Sequence, residues 1–233
     1  MPVALITGAS RGFGRALATD LAADGWDLVL DARGAAALKS VAAELASTGV
    51  RVEAVAGDVA DAAHRGALIA AAEALGGLDL LVNNASVLGP SPQPTLDAYP
   101  LDVLAHVYEV NVIAPIALVQ QALPLLHASA GTIVNITSDA AVEGYEGWGG
   151  YGSSKAALEQ ATNVLAAEQP ALRVYRFDPG DMRTQMHQEA FPGEDISDRA
   201  EPETVVPALR SLLFNRPPSG RYRAADLLAD VSP

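Results

Sequence analysis

The sequence contains no cysteine among its 233 residues. This absence excludes disulfide scaffolds, zinc sites built from thiolates, and cysteine nucleophiles. Positive charge is also scarce, because 15 lysine and arginine residues stand against 28 aspartate and glutamate residues, for a formal net charge of −13. Such an acidic balance argues against a nucleic-acid-binding protein that depends on phosphate contacts.

Long hydrophobic runs are missing as well. The most apolar stretch, from Ile113 to Leu126, is interrupted by prolines and glutamines, so we expect no membrane span. The residues after Met1 show neither the basic segment nor the long apolar core of a signal peptide. We therefore expect a cytoplasmic protein that has neither a membrane nor nucleic acid as a partner.

The sequence is nevertheless rich enough in apolar residues to bury a sizeable core. Half of the residues are hydrophobic and 18% are charged. A chain of this length and composition fits one large domain. Because no linker, repeat or long low-complexity tract divides it, we expect a single domain over residues 1–233.

Short apolar runs alternate with longer alanine-rich segments of helical spacing, which is the pattern of repeated strand and helix units. The predicted strands are Val3–Ile6, Leu28–Leu30, Arg51–Ala56, Leu78–Val82, Thr132–Ile136, Arg173–Phe177 and Arg221–Arg223. The predicted helices are Arg15–Ala23, Ala35–Ser47, Ala62–Leu75, Leu101–Leu125, Tyr151–Ala167 and Glu203–Leu213. We therefore expect an α/β fold with a doubly wound, mostly parallel sheet that is covered by helices on both faces.

A glycine-rich segment follows the first predicted strand and leads into a helix. Its glycines allow a sharp turn and bring backbone N–H groups close to a pyrophosphate at the positive end of the helix. The alternative is a tight turn without a ligand, since the spacing is G-x-x-x-G-x-G. The candidate cofactor-binding residues are Gly8, Ser10, Arg11, Gly12, Phe13 and Gly14.

The end of the second strand selects the cofactor in dinucleotide folds, because an acid there hydrogen-bonds the ribose 2′-hydroxyl and repels a 2′-phosphate. Ala32 occupies the expected position, with Arg33 beside it. Together with Arg11, Arg33 can hold a 2′-phosphate in forked contacts, so we predict NADP(H). NAD(H) remains possible if Asp31 faces the ribose instead, and a third interpretation makes all three residues solvated surface charges.

Polar residues also follow the third and fourth strands, at the carboxyl ends where ligands bind in such sheets. Asp58 and Val59 follow the third strand, and Asn84 and Ala85 follow the fourth. The carboxylate can accept from an adenine amino group, and the asparagine pair Asn83-Asn84 can brace neighbouring strands. Taken singly, each is more often a turn or a helix cap.

Tyr151 and Lys155 are four positions apart at the start of a predicted helix and so share one helix face. A free phenol, with a pKa near ~10, is a poor acid–base group at neutral pH unless its anion is stabilised. A neighbouring ammonium and the positive helix end both stabilise the anion. The pair can therefore donate a proton to a carbonyl oxygen, which Ser138 can hydrogen-bond and position.

These motifs together resemble the ordered motif set of the short-chain dehydrogenases/reductases of the compact, single-domain type. The resemblance extends from Val3 to about Arg223 and rests on the glycine segment, Asp58, Asn83–Ala85, Asn111, Ser138, Tyr151, Lys155 and Pro179-Gly180. It implies a Rossmann-like, seven-stranded sheet and a nicotinamide cofactor. It also implies the reversible oxidation of an alcohol or reduction of a carbonyl.

The resemblance also implies roles for individual residues. Tyr151 is the acid–base, Lys155 lowers its pKa and holds the nicotinamide ribose, and Ser138 positions the reacting oxygen. Asn111 anchors a water in the proton relay to Lys155, or is a buried amide satisfied by backbone. The residues implied at the nicotinamide end of the cofactor are Pro179, Gly180, Met182 and Thr184.

The sequence departs from the family pattern at three positions. Ser86 stands where the family usually has glycine, Phe13 where it has isoleucine or leucine, and Asp181 follows the Pro-Gly pair. None of these removes a chemical group from the mechanism. We expect Ser86 to tighten the floor beneath the nicotinamide.

We expect substrate choice to come from three loops, at residues 87–97, 139–150 and 183–201. The loop at 139–150 carries Trp148 close in sequence to Glu143, Tyr145 and Glu146. Either its aromatic residues line a pocket, or Trp148 anchors the loop against the protein. The third resembles the mobile lid of the family, in which His187 either contacts substrate or lies on the surface. No histidine and carboxylate set has metal-ligand spacing, so we expect no catalytic metal.

The leading hypothesis is an NADP(H)-dependent carbonyl reductase or alcohol dehydrogenase that acts on a small organic substrate. The alternative is a catalytically silent cofactor sensor or scaffold, against which the full set of Asn111, Ser138, Tyr151 and Lys155 argues. The non-redox chemistry of the family is a third possibility. Because the family usually pairs through helices like those at 101–125 and 151–167, we also expect a homodimer or homotetramer.

Overall fold

The computed structural model describes residues 1–229, and within them seven strands form one sheet. The strands are β1 Val3–Ile6, β2 Asp27–Ala32, β3 Val52–Ala56, β4 Leu80–Asn83, β5 Thr132–Ile136, β6 Arg173–Asp178 and β7 Gly220–Arg223. Every neighbouring pair is parallel, in the order β3-β2-β1-β4-β5-β6-β7. The predicted doubly wound sheet is confirmed. The end of the predicted domain, residues 230–233, lies outside the described residues.

Helices connect the strands and cover both faces of the sheet. They are α1 Gly12–Ala23, α2 Ala35–Ala46, α3 Ala62–Leu75, α4 Leu101–Tyr108, α5 Ala114–Ser129, α6 Gly149–Glu168, α7 Gln185–Ala190, α8 Pro202–Asn215 and α9 Ala224–Ala229. The sequence did not predict α7 and α9, because helices of six residues are too short to show a helical apolar period.

The predicted helix Leu101–Leu125 is interrupted in the structure. A π-helical turn at Glu109–Ile113 separates α4 from α5, and α5 continues to Ser129. π turns of this kind often mark functional positions, and this one contains Asn111. The sequence could not indicate it, because the turn leaves the apolar spacing almost unchanged.

The segment Leu101–Ser129 is long and apolar enough to cross a membrane if only its length and composition are considered. About 44% of its most apolar window is buried inside the protein. Leu118, Ala122 and Leu126 of α5 pack in the core beneath the sheet. A helix of an α/β core gives the same hydropathy signal, and the expectation of no membrane span stays a prediction.

The strands bury side chains on both faces because successive residues point to opposite sides. Ala4 and Ile6 of β1 face the core formed with α1, α2 and α8, whereas Val3 and Leu5 face the core formed with α3 and α5. This burial explains why the strands read as continuous apolar runs.

The direction in which successive strands are added reverses between β1 and β4. From β1 the sheet extends through β2 and β3 on one side, and from β4 it extends through β5, β6 and β7 on the other. In open parallel sheets, ligands bind where such a reversal opens a crevice outside the carboxyl ends of the strands. We call this side of the sheet the carboxyl edge and the side where the strands begin the amino edge. The segments that carry the candidate residues all follow the carboxyl edge.

Candidate active site

A cleft of about 1600 Å³ runs along the carboxyl edge. Pockets for drug-sized ligands occupy ~300–1000 Å³, so this cleft has room for an extended ligand and a second small molecule. Most of the predicted site residues line it: Gly8, Ser10, Arg11, Gly12, Phe13, Arg33, Asp58, Val59, Asn84, Ala85, Ser138, Tyr151, Lys155, Pro179, Gly180, Met182 and Thr184. Gly14 and Asn111 are not among the residues described as lining the cleft, and they lie behind its wall.

The glycine segment adopts a conformation that needs glycine for two different reasons. Gly8 and Gly12 have positive φ angles of 68° and 56°. A Cβ atom on Gly14 would lie 2.6 Å from the carbonyl oxygen of Gly8, so this glycine lets the segment pack on itself. The first turn of α1 has no side-chain cap at Arg11, which leaves its N–H groups free for an anion.

Asn84 and Thr7 hold the glycine segment in place. The amide of Asn84 donates to the carbonyl oxygens of Thr7 at 2.8 Å and Gly8 at 3.2 Å. The hydroxyl of Thr7 accepts from the backbone N–H groups of Asn84 and Ala85, each at 3.0 Å. The side chain of Asn84 therefore braces the glycine segment, and direct cofactor contact by this residue stays a prediction.

The two arginines predicted to hold a 2′-phosphate lie exposed on the cleft wall. Arg11 donates to the side-chain oxygen of Gln185 on α7. Arg33 makes no hydrogen bond or ion pair within residues 1–229, so its guanidinium is available to a ligand.

Asp31, whose carboxylate was the alternative selector, is turned into the protein. One oxygen is 2.6 Å from the imidazole Nε2 of His64, and the other accepts from the backbone N–H of Gly8 at 3.4 Å. Burial raises the pKa of Asp31, and the contact with His64 opposes this rise. A Cβ on Gly57 would lie 2.2 Å from the His64 ring, so Gly57 makes room for the pair. His64 could not be identified from the sequence, because a single histidine on a helix carries no signal of its partner.

Asp58 and Val59 form the turn between β3 and α3. The carboxylate of Asp58 accepts from the backbone N–H of Ala60 at 2.9 Å, as a turn residue does. Val59 packs with Val110 and Ala85 in a small apolar cluster at the cleft. This cluster provides an apolar slot, while the predicted contact of Asp58 with an adenine amino group stays a prediction.

Three of the predicted catalytic side chains come together where β5 ends and α6 begins. Tyr151 and Lys155 are buried on α6, and the Lys155 ammonium lies 5.5 Å from the centre of the phenol ring. Its Nζ donates to the carbonyl oxygen of Ile136 at 2.9 Å. The hydroxyl of Ser138 donates to Asp139 at 2.9 Å and faces the phenol of Tyr151.

The electrostatics of the phenol differ from the sequence expectation that Lys155 lowers its pKa. Burial, followed by the charges of Asp178 and Asp139, raises the pKa of Tyr151 above its ordinary value. The hydroxyls of Ser138 and Ser86 act in the opposite direction. The raised pKa keeps the phenol protonated at neutral pH, which is the state that a proton donor requires.

Lys155 is shifted in the complementary direction. Its burial beneath the cleft lowers the pKa of the ammonium to about 8. At neutral pH it still carries its charge for most of the time, next to the ring whose anion it would stabilise.

Asn111 lies in the π turn behind the catalytic side chains. Its Oδ1 accepts from the hydroxyl of Ser86 at 3.1 Å and the N–H of Val87 at 2.9 Å. Its Nδ2 donates to the carbonyl oxygen of Val87 at 2.9 Å and the hydroxyl of Ser154 at 3.0 Å. All of its side-chain hydrogen-bonding positions are filled, so the satisfied buried amide describes it. A water-anchoring role would fall to its main chain and stays a prediction.

Trp148 lines the cleft beside the phenol and packs against other aromatic rings. The Trp148 ring lies 5.8 Å from the ring of Tyr151 and 5.8 Å from that of Phe191. Trp148 lines the cleft and contacts the segment after α7, so it lines a pocket and anchors a loop at once. Glu143 and Glu146 are exposed and not among the lining residues of this cleft.

The predicted lid contains α7, and His187 on this helix lines the cleft. The His187 ring packs on Phe191 with 4.9 Å between ring centres. Its nitrogens lie 3.7 Å from Asp181 and 3.4 Å from Arg199. The residue is thus part of the cleft wall rather than free surface, and the sequence interpretation of a surface histidine does not describe it.

Three charged residues behind Ser138 were missed by the sequence analysis. Asp178 ends β6, Glu159 lies on α6 and Arg221 lies on β7, and their side chains join in one network. Arg221 and Glu159 are 62 positions apart, so only the fold brings them together. No group of three or more histidine, aspartate or glutamate residues within residues 1–229 is arranged to hold a metal ion.

Comparisons with known proteins agree over nearly the whole chain. A family model described as short chain dehydrogenase matches residues 2–195. The sepiapterin reductase of Meriones unguiculatus is 37% identical over 199 residues, which cover 80% of this chain and 76% of that protein. The sepiapterin reductase of Xenopus laevis is 32% identical over 228 residues, which cover 93% and 83%.

Solved structures match the fold at similar identity. A short chain dehydrogenase from Shigella flexneri complexed with NADP has a TM-score of 0.90 and 32% identity, covering 96% of this chain and 97% of that chain. An alcohol dehydrogenase from the archaeon Thermococcus sibiricus complexed with 5-hydroxy-NADP has a TM-score of 0.87 and 30% identity, covering 96% and 95%.

Proposed function

Because the chain belongs to the short-chain dehydrogenase/reductase family, we propose that it is an NADP(H)-dependent reductase of carbonyl groups in small organic molecules. The reverse reaction, oxidation of the alcohol, uses the same groups. The observation that carries the proposal is the buried Tyr151 phenol beside Lys155 and Ser138, at the inner end of the cleft.

The glycine segment, the uncapped start of α1 and Arg33 fit a phosphorylated dinucleotide. Free N–H groups at a helix start attract the pyrophosphate. The unpaired guanidinium of Arg33 suits a 2′-phosphate, while the engagement of Asp31 with His64 removes the acid that would select NAD(H). Two structures of similar fold carry NADP or 5-hydroxy-NADP. These observations support NADP(H) as the cofactor.

When bound, the reduced nicotinamide supplies a hydride to the carbonyl carbon. Ser138 positions the carbonyl oxygen by hydrogen bonding, and Tyr151 donates its proton to that oxygen. Lys155 stabilises the phenolate that remains, because its ammonium lies 5.5 Å from the ring centre. The phenolate then regains a proton from solvent. In the direction of alcohol oxidation the phenolate must form first, so oxidation is favoured by high pH.

The substrate we propose is a carbonyl compound with a flat, partly apolar body. Trp148 offers an aromatic face beside the phenol, and flat rings stack on such faces. The curated relatives named sepiapterin reductase make sepiapterin the first compound to test.

The decisive assay follows the loss of NADPH absorbance with sepiapterin, aliphatic ketones, vicinal diketones and keto sugars, and repeats it with NADH. We expect at least one carbonyl to be reduced, with NADPH preferred. Binding of NADPH without reduction of any carbonyl would favour the silent sensor or scaffold instead.

Arg33→Ala tests the cofactor assignment. We expect kcat/KM for NADPH to fall about tenfold and kcat/KM for NADH to stay unchanged, because only the former carries the 2′-phosphate. Arg223→Ala, at an exposed arginine that is not among the cleft-lining residues, is the matched control. A wild-type preference for NADH would contradict the assignment.

We also propose a homodimer or homotetramer that forms through α4, α5 and α6. Apolar side chains are exposed on these helices and on the π turn between α4 and α5, including Leu101 at 76%, Ile113 at 48% and Val164 at 45%. Burying them against a second copy would remove apolar surface from water. Light scattering at micromolar concentration tests this, and a monomer mass would refute it.

A further inference from the structure

A charged network lies behind the catalytic side chains, and the mechanism above does not use it. Arg221 of β7 donates from Nε to Glu159 at 2.8 Å and from Nη2 to Asp178 at 2.8 Å. The same Nη2 lies 3.3 Å from the carbonyl oxygen of Ser138. One guanidinium thus joins α6, β6, β7 and the segment that follows β5.

The carboxylates of the network are buried and make further hydrogen bonds. Asp178 is 3% exposed, and its other oxygen accepts from the backbone N–H of Gly180 at 3.0 Å. Glu159 is 8% exposed and also accepts from the hydroxyl of Thr137 at 2.7 Å. Buried carboxylates are costly without a compensating charge, and Arg221 supplies that charge to both.

The network touches two segments on which the proposed chemistry depends. Arg221 contacts the backbone of Ser138, whose hydroxyl faces the phenol of Tyr151. It also holds Asp178, whose carboxylate shapes the turn that leads into Gly180 on the cleft wall. A shift of this guanidinium would therefore move both the hydroxyl of Ser138 and the part of the cleft wall at Gly180.

Several charged groups surround Tyr151, and their elements differ. Asp178 faces it from the end of β6 and Asp139 from the loop after β5, and both charges disfavour the phenolate. Lys155 faces it from α6. The lid helix α7 packs on it through Met186 and Ala190 and also carries His187 and Glu189. Among the two carboxylates that disfavour the phenolate, Asp178 is the one that Arg221 binds.

We propose that Arg221 is a positioning residue for the reaction, which fixes the backbone of Ser138 and neutralises the Asp178 carboxylate that faces Tyr151. The inference rests on the proposed function for its catalytic meaning. Its electrostatic content concerns the phenol alone and can be measured without turnover.

The proposal predicts opposite effects for two substitutions. Arg221→Met leaves Asp178 without its cation, so the ionisation of Tyr151 moves to higher pH. Asp178→Asn removes the negative charge and keeps an oxygen for the N–H of Gly180, so the ionisation moves to lower pH. We expect shifts of about half to one pH unit. In the double variant the effect of Arg221 should disappear, which places it near Asp178→Asn.

The readout is the NMR shift of tyrosines labelled with ¹³C at Cζ, which reports phenol ionisation directly. The chain has six tyrosines, and the Tyr151 signal is identified by its loss in Tyr151→Phe. The pH at which this signal begins to move should be highest in Arg221→Met and lowest in Asp178→Asn. The alkaline limb of kcat/KM for NADPH-dependent reduction of sepiapterin should move in the same order.

Arg51→Met is the matched control, because Arg51 binds a fully buried aspartate, Asp27, at the opposite edge of the sheet. It should lower stability without moving the Tyr151 signal. If Arg221→Met does not fold, Asp178→Asn and Arg221→Lys carry the comparison. Arg221→Lys should move the ionisation of Tyr151 to higher pH than in wild type, because one ammonium cannot bind both carboxylates as the forked guanidinium does, and Asp178→Asn should move it to lower pH.

Equal ionisation in all variants, or shifts of the same sign in Arg221→Met and Asp178→Asn, would overturn the proposal and leave Arg221 a purely structural residue. Absence of sepiapterin or other carbonyl reduction would refute the proposed function while leaving the NMR order intact. The two failures are therefore distinguishable.

Discussion

The two edges of the sheet differ in how completely their buried polar side chains are hydrogen-bonded. At the amino edge, the fully buried carboxylate of Asp27 accepts from Arg51 through its backbone N–H at 2.8 Å, its Nε at 3.0 Å and its Nη2 at 2.6 Å. Asp79 accepts from the N–H of Val3 at 2.8 Å. We call these groups closed pairs, because each carboxylate is hydrogen-bonded to a neighbouring part of the chain and so ties strands and loops together.

At the carboxyl edge, buried polar groups surround a cleft and are not all paired with one another. Within residues 1–229, the buried side-chain atoms that have no hydrogen-bond partner are Arg65 Nε, Gln93 Oε1 and Tyr99 Oη. All three lie in segments that follow the carboxyl ends of strands. The difference teaches that unpartnered buried polar atoms occur on the side of the sheet that carries the cleft, whereas Asp27 and Asp79 at the amino edge are hydrogen-bonded.

The largest expected effect is at the carboxyl edge, on catalysis. Tyr151→Phe removes the proton donor and should lower kcat by about a thousandfold, while leaving NADPH affinity within about twofold. Tyr108→Phe, on α4 and not among the cleft-lining residues, should leave kcat unchanged. NADPH fluorescence titration and steady-state turnover measure the two quantities. Turnover near the wild-type rate in Tyr151→Phe would show that Tyr151 is not the proton donor, and the carboxyl edge would lose its assigned catalytic group.

The next effect is at the amino edge, on stability. Arg51→Met removes the guanidinium from Asp27 and leaves it the backbone N–H of residue 51, so it should cost about 2–3 kcal/mol of unfolding free energy at neutral pH. Burial tends to raise the pKa of Asp27, but the hydrogen bonds and charge of Arg51 prevail and hold it below its ordinary value. The stability from this pair is therefore complete at neutral pH and is lost as pH falls through that lowered pKa.

Urea unfolding of wild type and Arg51→Met at neutral and acidic pH measures this. Arg15→Met breaks an ion pair with Glu44 in which both side chains are half exposed, and it should cost under about 1 kcal/mol. A cost for Arg51→Met no larger than that of Arg15→Met would contradict the closed-pair description of the amino edge.

A third effect separates a buried amine from an exposed one. The pKa of Lys155 is lowered by burial to about 8, whereas an unfolded lysine titrates near ~10.4. Between these values the folded chain has lost a proton that the unfolded chain keeps, so stability rises with pH by up to about 1.4 kcal/mol per unit.

Denaturant unfolding between about pH 7 and 9.5 checks this rise. Lys155→Met should flatten it, while Lys39→Met, at the other lysine of the chain, which is exposed, should leave it in place. Equal pH dependence of stability in wild type and Lys155→Met would show that burial does not lower the pKa of Lys155.

The smallest effect compares two buried tyrosines. Tyr99 at the carboxyl edge has an unpartnered hydroxyl, whereas Tyr175 of β6 donates to the carbonyl oxygen of Pro217 at 2.9 Å. Tyr175→Phe should cost about 1 kcal/mol, and Tyr99→Phe should be neutral or stabilising by less than about 1 kcal/mol. Thermal unfolding of both variants measures the difference, and equal losses would contradict it.

Most of the fold could be predicted from the sequence because buried parallel strands and amphipathic helices leave periodic signals. The predicted bounds of β1, β5 and α3 are those of the structure. The π turn at Glu109–Ile113 could not be predicted, because it depends on where the side chain of Asn111 finds its partners. The short helix α7 was hidden inside a loop for lack of a period.

The candidate site could be predicted where its residues lie close in sequence or follow strand ends. Tyr151 and Lys155 could be identified because their spacing of four residues places them on one face of a predicted helix. Asp31 could not be placed, because its orientation depends on His64, 33 positions away. Arg221 and Asp178 were missed for the same reason, since the network depends on which strands become neighbours.

Hydrogen exchange with and without NADPH tests the contrast between the two edges most directly, because a ligand slows exchange where it binds. We predict that NADPH protects residues 7–15, 83–88 and 178–191 at the carboxyl edge. Residues 24–27, 49–52 and 129–132 at the amino edge should exchange at unchanged rates. Protection confined to the amino edge, or no protection at saturating NADPH, would contradict the account.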